Sequence, residues 1–220
     1  MHMVIIDYGM GNLRNVQKAF EHIGVPAKVS TQASDLQQAD GLVLPGVGAF
    51  GDAMANLSAA GLVEVIRDIV ATGRPLLGIC LGLQLLFDES EEMGTHRGLG
   101  ILPGRVVRFD NTLKVPHIGW NQLHVTPQGR RAPDGGDLRT PLLEGIPDRD
   151  YAYFVHSYYA DPADPACILA TTSYGIEFAS IVGQGSVFGA QPHPEKSQEV
   201  GLRLLRNFAS LVSETRGGAR

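Results

Sequence analysis

A cysteine between two glycines is the residue in this chain best placed to act as a nucleophile. Cys80 follows a short apolar run and has glycines at positions 78 and 82. This spacing is typical of a nucleophile elbow, a strained strand-to-helix turn whose glycines let neighbouring backbone approach. The positive end of the following helix dipole favours a thiolate. A buried packing cysteine is the ordinary alternative, and that is the role we expect for Cys167, which lacks such a frame.

A histidine that could serve this cysteine as a base follows a later apolar run. The segment Gln191-Pro192-His193-Pro194-Glu195 comes directly after residues 187–190. The prolines fix the backbone around His193, and Glu195 is close enough in sequence to orient the imidazole. The pattern therefore predicts a Cys–His–Glu arrangement, with a solvated surface turn as an equal alternative. The other histidines lack this frame; they are His2, His22, His96, His117, His124 and His156.

A turn with two glycines could supply donors for an oxyanion. Pro45-Gly46-Val47-Gly48 follows a third apolar run, and a turn of this kind presents backbone N–H groups and reorients its peptides cheaply. An ordinary strand-ending loop is the alternative. Phosphate cradling is disfavoured because the chain has neither a Walker lysine nor a G-x-G-x-x-G helix start. The absence of H-E-x-x-H and of paired C-x-x-C motifs disfavours a metal site.

Composition narrows the function classes further. The 220 residues carry a net charge of -5, with a sequence pI of about 5.8, which disfavours nucleic-acid binding. The longest apolar stretch, residues 75–87, is shorter than the roughly 20 residues that a membrane helix needs. Two cysteines are too few for a disulfide scaffold. No secretory signal is readable, so we expect a cytoplasmic protein.

The elements that position these residues alternate through the first half of the chain. Strands are predicted at residues 4–6, 27–29, 41–44 and 76–79. Helices are predicted after Asn12, which we expect to cap the first of them, and at residues 62–70 and 83–87. Such alternation predicts an α/β fold with an open, mostly parallel sheet and helices on both faces.

The second half predicts a mixed or antiparallel extension of that sheet. Its predicted strands are residues 105–109, 121–125, 151–155, 167–171, 178–182 and 186–190. A final helix is predicted over residues 197–212, and residues 126–141 are predicted to form a mobile surface loop. We expect one domain over residues 1–215, with a frayed tail at 216–220.

Three separated motifs, in this order, resemble those of the class I (triad-type) glutamine amidotransferases. They are Pro45-Gly46-Val47-Gly48, Gly78-Ile79-Cys80-Leu81-Gly82-Leu83-Gln84 and Pro192-His193-Pro194-Glu195. Further segments are similar to the glutaminase subunits of imidazole glycerol phosphate synthases. They are Asp7-Tyr8-Gly9-Met10-Gly11-Asn12-Leu13, Val115-Pro116-His117-Ile118-Gly119-Trp120-Asn121, Tyr153-Phe154-Val155-His156-Ser157-Tyr158 and His193-Pro194-Glu195-Lys196-Ser197. The resemblance covers nearly the whole chain, although the loop predicted at residues 126–141 is long for that family.

The resemblance implies a flavodoxin-like fold and a cofactor-free hydrolysis of L-glutamine. Cys80 would form a thioester, His193 would transfer protons and Glu195 would orient His193. The implied oxyanion donors are the backbone N–H groups of Leu81 and, after a peptide flip, Val47. The implied glutamine pocket consists of Gly48, Gln84, Ser157 and Tyr158.

The resemblance also implies a partner. The ammonia would pass to a TIM-barrel cyclase subunit in a heterodimer, which makes imidazole glycerol phosphate and an aminoimidazole carboxamide ribotide in histidine biosynthesis. The implied interface residues are Asn12, Asn15, Trp120, Tyr153 and Lys196. Trp120 could instead belong to the core of the second sheet, and the sequence leaves these alternatives equal.

Three other interpretations remain. The chain could be the glutaminase subunit of another synthase, such as that for pyridoxal phosphate, although the Asn12 and Trp120 motifs favour the histidine pathway. A stand-alone cysteine hydrolase usually has its histidine close after the cysteine, unlike His193 here. A non-enzymatic regulatory domain would typically have lost one member of the Cys80, His193 and Glu195 set.

Overall fold

The strands of the first half form a parallel sheet, as their alternation with helices predicts. The computed structural model describes residues 1–110, 112–132 and 141–218. The parallel strands, numbered along the chain, are β1 (Met3–Ile6), β2 (Ala27–Ser30), β3 (Gly41–Gly46), β4 (Leu76–Cys80) and β13 (Val187–Ala190). They lie in the order β2-β1-β3-β4-β13, so the ends of β4 and β13 are neighbours.

Helices cover both faces of this sheet. They are α1 (Leu13–His22), α2 (Ala33–Gln37), α3 (Phe50–Ala59), α4 (Leu62–Ala71), α5 (Leu81–Leu85) and α6 (Gln198–Gly218). Side chains of β1 alternate between the two layers: Met3 and Ile5 share a core with α1 and α6, whereas Val4 and Ile6 share one with α2 to α5. Burial on both faces explains why these strands are continuous apolar runs.

The remaining strands extend the sheet. They are β5 (Phe87–Ser90), β6 (His96–Arg97), β7 (Leu102–Arg108), β8 (His117–Val125), β9 (Asp150–His156), β10 (Tyr158–Pro162), β11 (Ile168–Tyr174) and β12 (Ile176–Gln184). β12 pairs antiparallel with β13, and the sheet continues through β10, β7, β5 and β6. A branch runs from β12 through β11 and β8 to β9. The α/β class with a mixed extension is thus confirmed.

Several predicted boundaries were wrong. The side chain of Asn12 makes no capping hydrogen bond. The backbone carbonyl oxygen of Asn12 instead accepts the backbone N–H groups of Asn15 and Val16. β3 continues through Pro45 and Gly46, where we expected it to stop, because both residues stay paired with β4. The helix after Cys80 is residues 81–85, and Phe87 already begins β5. Helices α2 and α3 and strands β5, β6 and β10 had no prediction.

Two predicted segments lie partly outside the described residues. Of residues 126–141, the structure describes 126–132 and 141, including a 3-10 turn at Gln128–Arg130; residues 133–140 lie outside it. Of the predicted tail, residues 216–218 belong to helix α6, and residues 219–220 lie outside the described part. Within the described ranges, no helix has both the length and the apolar character needed to cross a membrane.

The turn between β4 and α5 depends on two glycines that allow backbone to touch backbone. A Cβ atom at Gly82 would overlap the carbonyl oxygen of Leu44 in β3. A Cβ atom at Gly78 would lie 2.5 Å from the carbonyl oxygen of Gly82. Neither neighbour is a flexible side chain that could move away. The spacing of the two glycines around Cys80 is therefore required by the packing of α5 onto the sheet.

We expect Gly82→Ala to lower the free energy of unfolding by about 3 kcal/mol, because the new methyl group must displace the backbone of β3. The control is Gly61→Ala, where a Cβ atom meets open space but φ is +68°. That variant should lose only about 1 kcal/mol, from left-handed strain. Urea denaturation of both variants measures the difference. Equal losses would show that α5 can shift to accommodate the methyl group.

Candidate active site

Cys80 occupies a strained position at the carboxyl edge of the parallel sheet. It is the last residue of β4 and directly precedes α5, and its φ of +55° lies in the left-handed region. A non-glycine residue there costs roughly 1–2 kcal/mol, which the surrounding packing must offset. The side chain is buried at 6% exposure. Its sulfur lies 3.7 Å from Nε2 of Gln191 and 4.0 Å from the carbonyl oxygen of Val155.

His193 lies beyond the end of β13, the strand next to β4. Its Nδ1 is 2.8 Å from Oε1 of Glu195, and both side chains are nearly inaccessible, at 3% and 1% exposure. The backbone N–H of His193 donates to the carbonyl oxygen of Tyr153, and the hydroxyl of Ser197 donates to the carbonyl oxygen of His193. The buried pair argues against the solvated surface turn that the sequence left open.

The electrostatic environment favours the charged form of His193. Burial alone lowers the pKa of this imidazole, but the Cys80 side chain and the Glu195 carboxylate together raise the pKa above its ordinary value. Among the described residues, Nε2 of His193 and Oε2 of Glu195 are buried without a hydrogen-bond partner. Nε2 is therefore the ring atom left available to exchange a proton with a bound molecule.

Cys80 and His193 open onto one cavity of about 350 Å³. The structure brings eight of the sequence-predicted residues to its wall: Val47, Gly48, Cys80, Leu81, Gln84, Ser157, Tyr158 and His193. Four further lining residues had no predicted role: Glu92, Pro116, Val155 and His156. Glu195 stands behind His193 and is not part of the wall. This cavity is the candidate active site.

The predicted oxyanion segment, residues 45–48, begins in the last two residues of β3 and lies directly beside Cys80. Gly46 is the strand partner of Cys80, and a Cβ atom at Gly46 would lie 2.5 Å from the Tyr8 hydroxyl. Gly48 has a φ of +106°, and the Val47 side chain is 44% exposed. Leu81 adjoins this segment, because a Cβ atom at Gly46 would lie 2.9 Å from its Cβ. Leu81 also begins α5, so helix geometry leaves its backbone N–H without an intrahelical acceptor.

Tyr8 supports this segment, and the sequence analysis did not single it out. Its hydroxyl donates to the carbonyl oxygen of Pro45 at 2.9 Å. Burial and the nearby Cys80 charge raise the pKa of this phenol, so it remains a neutral donor. Gln191 was likewise missed, although it stands in the His193 motif, where its position two residues before the histidine was the available signal.

The other cysteine is placed differently. Cys167 is buried in the core at 4% exposure, as expected. Burial and, secondarily, the Asp164 charge raise the pKa of its thiol to about 11, so it stays protonated at neutral pH.

Within the described ranges, no group of three or more His, Cys, Asp or Glu side chains is arranged to hold a metal ion.

The predicted interface residues form two neighbouring groups. Trp120 on β8 is 46% exposed, which excludes the core alternative. Its ring lies 6.0 Å from that of Tyr153 on β9, and the Lys196 ammonium stands 5.5 Å from the Tyr153 ring centroid. Asn12 and Asn15 stand at the beginning of α1, and Asn15 borders the same surface groove as Glu195.

Comparison with known proteins agrees with this geometry. The family model "Glutamine amidotransferase class-I" matches residues 4–211. A curated relative from Syntrophotalea carbinolica, "Imidazole glycerol phosphate synthase subunit HisH", is 51% identical, covering 95% of this chain and 100% of its own. The Bacillus subtilis protein of the same name is 49% identical, with 96% of each chain covered.

Solved structures share the fold at low sequence identity. One is described as "Crystal structure of glutamine amidotransferase"; it has a TM-score of 0.72 at 22% identity and covers 96% of this chain and 98% of its own. A chain of the "Structure of PurLQS from Thermotoga maritima" has a TM-score of 0.70 at 18% identity, covering 95% and 97%. The family match spans the sheet, the cavity and all three motifs. The chain belongs to the class-I glutamine amidotransferase family.

Proposed function

We propose that this chain is the glutaminase subunit of an imidazole glycerol phosphate synthase. The observation that carries the proposal is that His193, whose Nδ1 lies 2.8 Å from Oε1 of the buried Glu195, opens together with Cys80 onto one cavity. The curated relatives that are 51% and 49% identical to this chain bear the name of a subunit of that synthase. Together these observations favour the histidine pathway over a pyridoxal phosphate synthase or a stand-alone cysteine hydrolase.

The reaction begins with the Cys80 thiolate. It attacks the side-chain amide carbon of L-glutamine, and the negative charge that develops on the oxygen is stabilised by the backbone N–H groups of Leu81 and, after a peptide flip, Val47. Such a donor is typically worth about 3 kcal/mol in the transition state. The imidazolium of His193 protonates the leaving amine, so ammonia departs and a glutamyl thioester remains on Cys80.

Hydrolysis of the thioester completes the cycle. His193, now neutral, accepts a proton from water, and the hydroxide attacks the thioester carbon, which releases glutamate and restores the thiolate. Glu195 holds Nδ1 of His193 throughout, so that Nε2 faces the reacting atoms. The raised pKa of His193 suits this role because it keeps the imidazole protonated before attack.

Glutamine recognition is assigned to the rest of the cavity. Gly48, Gln84, Ser157 and Tyr158 line it as the family resemblance implies. Glu92 adds a carboxylate to the same wall, which suits the α-ammonium group of the substrate. This carboxylate is anchored because it accepts the backbone N–H of Phe50 at the start of α3.

The partner in the proposal is the TIM-barrel cyclase subunit, in a cytoplasmic heterodimer. On this chain, the surface that would bind the partner carries Trp120, Tyr153 and Lys196, together with Asn12 and Asn15 at the start of α1. Trp120 is an exposed aromatic side chain of the kind typical of interface anchors, and its ring lies 6.0 Å from that of Tyr153. Ammonia would pass from the cavity to the barrel, which uses it for ring closure.

With the cyclase subunit and its phosphoribosyl ligand present, we expect glutamate release from glutamine to be strongly activated. Cys80→Ala should reduce this rate at least about a thousandfold, because the nucleophile is lost. Cys167→Ala is the matched control and should retain the rate, since that thiol is buried in the core. Activity that persists in Cys80→Ala would contradict the assignment. Strong activity without any partner would indicate a glutaminase with another task.

A second prediction concerns the charge of His193. Its pKa should fall in Cys80→Ala, because the Cys80 side chain is one of the groups that raise it. Since the shift is upward, the stabilisation that the charged imidazole adds is complete below its ordinary pKa and is lost as the pH rises through the folded-state pKa. Titration of isotope-labelled histidine by NMR measures this, with Cys167→Ala as the control. An unchanged His193 pKa in Cys80→Ala would refute the coupling.

A further inference from the structure

Two buried histidines outside the catalytic pair stand next to the cavity. His117 on β8 and His156 on β9 are strand partners, exposed by only 3% and 6%. Burial lowers the pKa of His117 to about 4 and that of His156 to about 3, so both rings are neutral at physiological pH. The mechanism above uses neither of them. Placing two imidazoles in an apolar environment is costly unless their nitrogen atoms are satisfied.

Their hydrogen bonds can run in only one direction. Nδ1 of His156 lies 2.9 Å from the carbonyl oxygen of Tyr158, which can only accept, so this nitrogen carries the proton. Nε2 of the neutral His156 ring must then accept, and its partner is Nδ1 of His117 at 3.2 Å. Nε2 of His117 accepts in turn from the side-chain amide of Asn121 at 3.2 Å.

Asn121, at one end of this series of hydrogen bonds, is held in place by backbone groups. The amide nitrogen of Asn121 also donates to the carbonyl oxygen of Ser173 at 2.9 Å. The amide oxygen of Asn121 accepts the backbone N–H of Gln122 at 2.8 Å. Backbone groups thus determine the orientation of the Asn121 amide, and with it the tautomers of both histidines. Asn121 directly follows the exposed Trp120 on β8.

At its other end, this series of hydrogen bonds connects through the Tyr158 carbonyl to side chains beside Cys80. The Tyr158 carbonyl oxygen accepts a second hydrogen bond, from Nε2 of Gln84 at 2.8 Å. Nε2 of Gln84 is also 3.1 Å from Oε1 of Gln191, whose own Nε2 is 3.7 Å from the Cys80 sulfur. The Tyr158 carbonyl is therefore the point where the histidine pair and the amides beside the nucleophile meet.

We propose that His117 and His156 are positioning residues that form a one-way hydrogen-bond relay, which fixes the Tyr158 carbonyl and with it the Ser157–Tyr158 wall of the glutamine pocket. The proposal rests on the proposed glutaminase function and deepens it. The relay acts on ground-state binding, because its last donor holds pocket backbone and touches no reacting atom. Its loss therefore weakens glutamine binding more than it slows the chemical step.

The test compares two substitutions of His117 in the complex with the cyclase subunit and its phosphoribosyl ligand. His117→Phe preserves ring stacking against Phe154 and Tyr174 but removes the donor to His156. His117→Asn loses the ring but places an amide group near the position of Nδ1. We expect KM for glutamine to rise about tenfold in His117→Phe with kcat changed less than about threefold, and to recover partly in His117→Asn. His124→Phe, on the same strand but outside the relay, is the control and should leave KM unchanged.

The ranking of the variants separates the relay from simple packing. If His117 served only to fill the core, His117→Phe would remain closer to the unaltered chain than His117→Asn, and the proposal would be overturned. A fall in kcat with unchanged KM would also overturn it, because it would place the histidines in the chemical step.

A second measurement does not depend on catalysis. Nitrogen-15 NMR of the unaltered chain should find both histidines neutral with the proton on Nδ1, unchanged from about pH 6 to 8. A proton on Nε2 of either ring, or a charged ring, would overturn the relay. If the unaltered complex released no glutamate, the proposed function would fail, whereas these tautomers would still decide whether the relay exists.

Discussion

The molecule is organised around the contact between the backbone of Gly82 and the carbonyl group of Leu44. Because a helix start and a strand touch there without an intervening side chain, Cys80 is held at a φ of +55° at the edge of the sheet. The same contact brings Gly46, the last residue of β3, beside Cys80. A strained cysteine at the sheet edge thus follows from close packing of β3, β4 and α5, and the other residues of the cavity are arranged around it.

The second organising feature is the neighbouring position of β13. Its pairing with β4 delivers His193 to the cavity although more than half the chain separates it from Cys80. Burial by itself lowers the pKa of this imidazole, so the Cys80 and Glu195 side chains together must outweigh desolvation. The antiparallel extension then supplies the other wall of the cavity through residues 155–158, at the turn from β9 to β10. Sheet order therefore joins the three motifs into one site.

The elements with strong periodicity were predictable from the sequence, and so were the residues with distinctive spacing. The apolar runs around Ile5, Val43 and Leu77 predicted the parallel strands, and the motifs around Cys80 and His193 predicted two residues that the structure brings to one cavity. His117 and His156 could not be found this way, because their roles depend on the strand register that pairs β8 with β9. Tyr8 acts through its hydrogen bond to Pro45 in β3, which local sequence does not encode, whereas the position of Gln191 in the His193 motif was a usable signal. Asn12 has the right residue type for a cap, but its side chain takes no part in one.

The measurement that tests the account most directly is identification of the covalent intermediate. The complex with the cyclase subunit and its ligand would be mixed with glutamine, quenched in acid and digested, and the cysteine-containing peptides would be analysed by mass spectrometry. The account predicts one glutamyl group, as a thioester, on the peptide that contains Cys80 and none on the peptide that contains Cys167. A glutamyl group on another residue, or glutamate formation with no thioester on Cys80 at any quench time, would contradict it.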